Sequence, residues 1–430
     1  MAGRLQDCGR WTGAAAPDPA DICTRKKGRG AVGITVGIVG CGVGGLALGT
    51  LLARQGVRVV IHERFEAAGP VGSGLVIQPV GQRVLARLGV LEELLAAGVR
   101  IERMLGHEVR GARRVLDVRY DGAGAGRFGL ALHRATLFEA LHGAARAAGV
   151  EIVTGAEVVG VTEAPGRRLE LAGGGRSGPF DLIVNAGGAR SALSPEFGRV
   201  LSFGALWGTV PAEGLPPVLR QRYRRASKML GVLPVGRVPG RAGPQATIFW
   251  SLPQTAEAAW RATPLADWHM EVAALWPEFA ELAAGITTHD DLTFARYRHG
   301  SLRRVAAREL VHIGDAAHRA SPQLGQGANM ALVDAAVLAK ALEGHAVDAA
   351  LRRHARARAL HVALYQGMSA IFTPFYQSES RVLPILRDRV MMPLSLIPPM
   401  PLMLGRLVGG DLWWTGMGPD AAAPAQEQAA

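Results

Sequence analysis

The sequence predicts an α/β fold: a parallel sheet with helices on its faces, an inserted antiparallel sheet, and a helical, irregular C-terminal segment. Two observations predict it. Short apolar runs at 34–39 and 57–61 bracket a helical stretch, the pattern of neighbouring parallel strands. A second strand–turn–helix unit stands near residue 310, with several strand-like runs between the two.

With 430 residues, the chain exceeds one ordinary core and suggests two packed domains. Its 49% hydrophobic and 20% charged residues can bury such cores, which excludes overall disorder. The net charge of +12 is spread over scattered arginines with no nucleic-acid motif, so a nucleic-acid partner is not expected. An anionic cofactor and cosubstrate account for the basic balance. Cys8, Cys23 and Cys41 have neither metal-ligand nor CxxC spacing, which points to a reducing cytoplasm and to no metal site. Residues 1–33 mix acids and bases without an apolar centre, so they are expected to be a flexible tail and not a signal peptide.

The first unit begins with the apolar run 34–39. Gly40, Gly42, Val43, Gly44 and Gly45 follow, giving GxGxxG through Gly40, Gly42 and Gly45. A helix over 46–54 and a strand over 57–61 come next, ending at Glu63 and Arg64. The chemistry is that of a Rossmann-like turn. Gly40 permits the tight bend, Gly42 lets backbone approach a pyrophosphate, and Gly45 lets helix and strand pack closely. The helix N-terminus offers free N–H groups and a positive dipole end. Glu63 stands 18 residues beyond Gly45, where an acid accepts hydrogen bonds from an adenosine ribose. The motif suits FAD or NAD and does not choose between them. Cys41 lies in the loop as a small filler.

The second unit is a strand at 310–313, then Gly314, Asp315 and His318, then a turn running from Pro322 through Gly325, Gln326, Gly327, Ala328 and Asn329. A helix is predicted from about 330 to 342, carrying Asp334. This run resembles the second FAD fingerprint of the flavin-dependent aromatic hydroxylases, the para-hydroxybenzoate hydroxylase-like family. The resemblance implies a Rossmann-like FAD-binding domain with a substrate sheet. It implies that Asp315 holds a ribityl hydroxyl, that Pro322 lies by the flavin ring, and that backbone from Gly325 to Asn329 cradles its pyrimidine side. His318 is expected to pack or to hydrogen-bond within the loop. The resemblance extends to Arg134, at a helix start, as an FAD contact. Arg64 would add an adenine or phosphate contact, and Val158 would touch adenine through its backbone.

Residues 181–191 resemble a third family motif with one departure. The family carries Asp-Gly where this chain has Gly187-Gly188. That carboxylate serves both FAD and the pyridine nucleotide, so its absence predicts slower reduction by NAD(P)H.

The FAD-binding domain is therefore expected over 34–195 and 301–360. The antiparallel substrate sheet is expected over 196–300, from runs at 205–210, 229–235, 246–252 and 293–299 with a helical stretch at 267–282. His269, His289, His299, Tyr223 and Tyr297 are the titratable candidates there, and none is assigned a catalytic role. The family's chemistry needs none, because reduced flavin and O2 give a hydroperoxyflavin that attacks an electron-rich ring. The substrate implied is a small aromatic, quinone-precursor or isoprenoid-bearing ring. A flavin oxidase or reductase on the same fold, or an FAD-binding protein with impaired reduction, is the alternative. A flavin halogenase would need a WxWxIP motif, which Trp413-Trp414 does not supply.

Residues 361–430 make the C-terminal part. Within it, 390–405 carry no charge and four prolines, too broken to span a bilayer and, on this reading, to form a regular helix. They are expected to close an apolar pocket as a lid, with a peripheral membrane contact as the alternative use.

Overall fold

A computed structural model describes residues 33–67, 69, 73–109, 113–413 and 415–417. The expectations for residues 1–32, and for Trp414, lie outside them. The parallel sheet runs in the order Leu310–His312, Leu182–Asn185, Thr35–Val39, Arg58–His62, Glu151–Val153, with the short antiparallel strand Ala306–Ala307 at one edge. Its central strands are buried on both faces, which is why they read as unbroken apolar runs.

Helices Val43–Arg54 and Gly327–Leu342 pack together through small residues. A Cβ on Gly44 would meet Ala331 Cβ at 3.4 Å and Ile313 Cδ1 at 3.5 Å. Both helices begin about one turn earlier than their apolar periodicity predicts. Their first turns are small and glycine-rich, so the hydrophobic pattern is silent there.

The second sheet has seven strands, ordered Thr293–Ala295, Phe203–Pro211, Pro244–Pro253, Lys228–Arg237, Val218–Arg224, Arg103–Glu108, Arg114–Arg119. Its pairings are antiparallel except Val218–Arg224 on Arg103–Glu108, which is parallel. Two strands thus come from 103–119, outside the 196–300 span expected for this sheet. Val218–Arg224 also escaped the sequence, because its polar face carries Arg220, Arg222 and Arg224. Helices Leu265–Leu275 and Pro277–Ala283 cover one face through Trp268, Val272 and Phe279.

The C-terminal part contains one long helix, Val347–Tyr376, followed by helical pieces. Residues 390–405 depart from the expectation of an irregular segment. They include the end of a π-helical turn, Arg387–Met391, the single turn Met392–Leu394 and most of the helix Met400–Gly409, with non-helical turns over 395–399 that hold Pro398 and Pro399. Pro393 and Pro401 sit in first turns, where a missing N–H costs nothing. Proline therefore divides this segment without preventing helix.

Candidate functional site

The two glycine turns, about 270 residues apart in sequence, lie side by side because their helices pack against each other. At the first, Gly40 has φ +101°, and a Cβ there would fall 2.6 Å from the Ala186 carbonyl. A Cβ on Gly45 would collide with the Gly40 carbonyl oxygen. Gly42 caps helix Val43–Arg54 and faces open space, and among the described residues no side chain caps that helix. A pyrophosphate could reach these N–H groups unhindered. Val43 and Gly44 continue this first turn beside it.

Glu63 follows the strand Arg58–His62. Its Oε2 accepts from Cys41 N at 2.8 Å and its Oε1 from Phe65 N at 3.2 Å. The acid thus orders the loop and keeps spare lone pairs for ribose hydroxyls. Burial, aided by Glu63, pushes the Cys41 thiol up to about 12, which suits a filler and not a nucleophile. Arg64 lies over the Phe65 ring at 4.6 Å. Arg134 is exposed at the start of helix Arg134–Ala147. Val158 is 7% exposed, its side chain in an apolar cluster and its strand paired with Arg167–Leu171. These three sit on separate elements.

At the second turn, Gly314 has φ +58° and Asp315 is exposed. The Asp315 carboxylate lies 3.9 Å from where a Cβ on Gly327 would stand, beside the start of helix Gly327–Leu342. That helix also lacks a side-chain cap and a first-turn acid, so its positive end is open to an anionic or carbonyl group. Pro322 opens a short turn closed by Gly325 in the left-handed region, φ +59°. Ala328 packs against the core.

The side chains of Gln326 and Asn329 face inward. Gln326 Nε2 donates to the Val408 carbonyl at 2.8 Å. Fully buried Asn329 accepts from Gln78 N at 2.8 Å and donates to the Val76 and Gly325 carbonyls. Both side chains thus bond within the protein. The residues around 78 were not legible in the sequence: Gln78 Oε1 accepts from the buried Tyr120 hydroxyl at 2.7 Å, which ties the turn to the second sheet.

Behind Asp315 lies a buried charge network. Asp334 accepts from Gly314 N at 2.9 Å, His318 Nε2 at 2.6 Å and Arg358 Nε at 2.7 Å. Burial opposes its ionisation, but His318 and Arg358 prevail and hold the carboxyl far below its usual range. Arg358 also reaches His361 Nδ1 at 2.7 Å, and His361 Nε2 bonds the Gly410 carbonyl at 2.9 Å. His318 is thus packed in the interior, one of the two places expected for it, but its bond goes to the helix Gly327–Leu342 and not within its own loop.

At the third motif, Asn185 performs the organising. Its Oδ1 accepts from Gly187 N at 3.1 Å and Ser191 Oγ at 2.7 Å, and its Nδ2 meets Ser194 Oγ and His312 Nδ1. A Cβ on Gly187 would lie 3.0 Å from Ser191 Oγ and 3.2 Å from Asn185 Oδ1.

Next to the second turn, at Gln323 and Leu324, opens a cavity of about 470 Å³. The second sheet supplies Met104, Val118, Gln221 and Tyr223, and the C-terminal pieces supply Met391, Leu394, Ile397, Leu404 and others. Residues of the 390–405 segment thus form one wall of this cavity. Few polar groups face in. Tyr223 donates to Gln221 Oε1 at 2.8 Å. The guanidinium of buried Arg387 lies 5.1 Å and 5.2 Å from the Tyr223 and Tyr376 ring centroids. Burial raises both phenols, Tyr376 to about 12, so both stay neutral hydrogen-bonding groups. Burial would raise Asp117, but its bonds from Arg103 and the charges of Arg103 and Arg114 leave it below the usual carboxylate range. Of the titratable candidates read from sequence, only Tyr223 reaches this cavity. Tyr297 accepts from Trp207, His269 bonds the Ile286 carbonyl, His289 packs on Trp260, and His299 lies on the strand Arg298–Ser301.

Comparison with known proteins agrees with this arrangement. The family described as FAD binding domain matches residues 33–365. The 6-methylpretetramide 4-monooxygenase of Streptomyces rimosus is 30% identical over 403 residues, covering 87% of this chain and 92% of that protein. The 2-heptyl-3-hydroxy-4(1H)-quinolone synthase of Mycobacteroides abscessus is 30% identical over 321 residues, covering 71% and 80%. Among solved structures, a variant of 2-methyl-3-hydroxypyridine-5-carboxylic acid oxygenase superposes with a TM-score of 0.72 at 22% identity, over 87% of this chain and 96% of that one.

Proposed function

Because the chain belongs to the FAD-binding-domain family of flavin-dependent aromatic monooxygenases, we propose that it hydroxylates an electron-rich ring bearing a hydrocarbon chain, using NAD(P)H and O2. The observation that carries this reading is the cavity: about 470 Å³, overwhelmingly aliphatic and aromatic in lining, and contiguous with the turn at Gln323. That size suits a bicyclic ring with a short chain. A heptyl-bearing quinolone in the name of one relative is the same chemical type.

Bound FAD supplies the activation of oxygen and the electrons drawn from NAD(P)H. Gly40, Gly42, Val43, Gly44 and Gly45 would hold its pyrophosphate, Glu63 its adenosine ribose and Asp315 its ribityl chain. The start of helix Gly327–Leu342 would face the pyrimidine edge, with Pro322 beside the ring. Arg64, Arg134 and Val158 would complete the outer contacts.

The protein's own part in the reaction is placement and exclusion of water. Tyr223 and Gln221 form a fixed polar pair on the cavity wall, suited to orienting a ring hydroxyl or carbonyl. Arg387 is held by the Phe375 and Arg225 carbonyls and fixes both tyrosines without adding a free charge to the wall. Asp117, locked by two arginines, is unsuited to take a proton. The substrate ring must therefore arrive already electron-rich.

The test is NAD(P)H oxidation and product formation across a series of hydroxylated rings with lengthening alkyl chains. Coupling should improve with chain length until the cavity is filled. Equal or better turnover of small, charged hydroxybenzoates would overturn the chain-bearing substrate.

A further inference from the structure

We propose that the outer face of residues 382–403 docks on an anionic lipid bilayer, seating the cavity mouth at the membrane surface. Among its apolar side chains, Val382, Ile385, Leu394, Leu396 and Ile397 are each at least half exposed, between 50% and 70%. Leu402 and Met403 continue the patch at 41% and 44%. Isolated exposed leucines are ordinary, but a run of this kind along short helices and the turns between them marks an interaction surface.

Charge chooses the partner. The exposed charges of 381–406 are Arg381, Arg389 and Arg406. The one acid in that stretch, Asp388, is bonded to buried Arg387 at 2.7 Å. Exposed Glu379 and the ion pair Arg119–Asp121 stand beside this stretch, but arginine remains in excess, and an apolar face with a basic excess matches an acyl layer beneath anionic headgroups. Among the described residues no helix is long and apolar enough to cross a membrane, so the contact would be peripheral.

Position gives the contact a use. Leu394, Ile397 and Pro398 are exposed and also line the cavity, so its mouth opens within the patch. A ring carrying a hydrocarbon chain could pass from the bilayer to the cavity without crossing water. This use rests on the substrate reading above, whereas the docking itself does not.

The experiment is flotation of the full chain with extruded vesicles, of phosphatidylcholine alone or mixed equally with phosphatidylglycerol. The protein should co-float with the mixed vesicles and detach in high salt. The triple variant Leu396→Asp/Leu402→Asp/Met403→Asp alters exposed residues outside the cavity lining. It should reduce the bound fraction about tenfold or more while keeping bound flavin and turnover of a water-soluble short-chain substrate. Arg381→Glu/Arg389→Glu should abolish the preference for anionic vesicles. A wild-type protein that floats with neither mixture overturns the proposal. So does light scattering that finds a wild-type dimer, a monomeric triple variant and no flotation, because the patch would then join two copies of this chain. Flotation without any preference for chain-bearing rings would count against the substrate reading alone.

Discussion

Replacing Asp334 with alanine should strip the second glycine turn of its anchor. The carboxylate is 2% exposed and accepts three bonds, from Gly314 N, His318 Nε2 and Arg358 Nε. Its removal leaves Arg358, 3% exposed, as a buried cation without its counterion. Breaking such a pair from one side costs about 3–5 kcal/mol, more than the net worth of the intact pair. The loss should appear as a lower urea midpoint in the FAD-free protein. FAD should also dissociate faster, because Gly314 N loses the acceptor that fixes the Gly314–Asp315 turn. Asp334→Ala/Arg358→Leu should recover part of the stability, since no unpaired charge remains. A single variant that loses less than about 1 kcal/mol, or a double variant whose loss is the sum of the two singles, would refute the reasoning.

Asp315→Ala should weaken FAD retention by about 1–3 kcal/mol, from the lost hydroxyl partner, as measured by titrating flavin fluorescence. Gly187→Asp should speed flavin reduction by NAD(P)H if the missing carboxylate limits that step, provided Ser191 yields by a few tenths of an ångström. Unchanged stopped-flow reduction at unchanged FAD affinity would mean that the turn built by Asn185 has replaced it. Burial holds His354 and His361 at about 4, against 6.5 for an ordinary imidazole. The unfolded chain therefore binds the extra protons first. Stability is fully present above pH 6.5 and falls as the pH drops toward 4. Urea midpoints between pH 7.5 and pH 5 should show this fall, and His354→Leu should lessen its slope.

The sequence carried the elements whose chemistry is local. Gly40 to Gly45 with Glu63, and Gly314 to Asn329, are readable because each turn requires particular residues in consecutive order. The parallel strands are readable because burial on both faces makes them continuous apolar runs. What escaped is what depends on distant partners. Gln78 looks like an ordinary polar residue until Tyr120 and Asn329 arrive beside it from 42 and 251 residues away in the sequence. Arg358 lies in a helix segment rich in arginine, and nothing local separates it from its exposed neighbours Arg352 and Arg353. Strands Arg103–Glu108 and Arg114–Arg119 join the second sheet across more than 80 intervening residues, a pairing no local pattern encodes. The prolines of 390–405 misled in the opposite direction, since a proline at a helix start and one in its interior look alike until the boundary is known.

Incorporation of labelled oxygen tests the central claim most directly. The purified protein, loaded with FAD, is supplied with NAD(P)H, a chain-bearing hydroxylated ring and isotopically labelled O2, and the product is read by mass spectrometry. The account predicts one labelled oxygen atom per product molecule, formed only when the ring is present. Label entering from water, or NAD(P)H consumption that yields peroxide and no hydroxylated product with every ring tried, would contradict it.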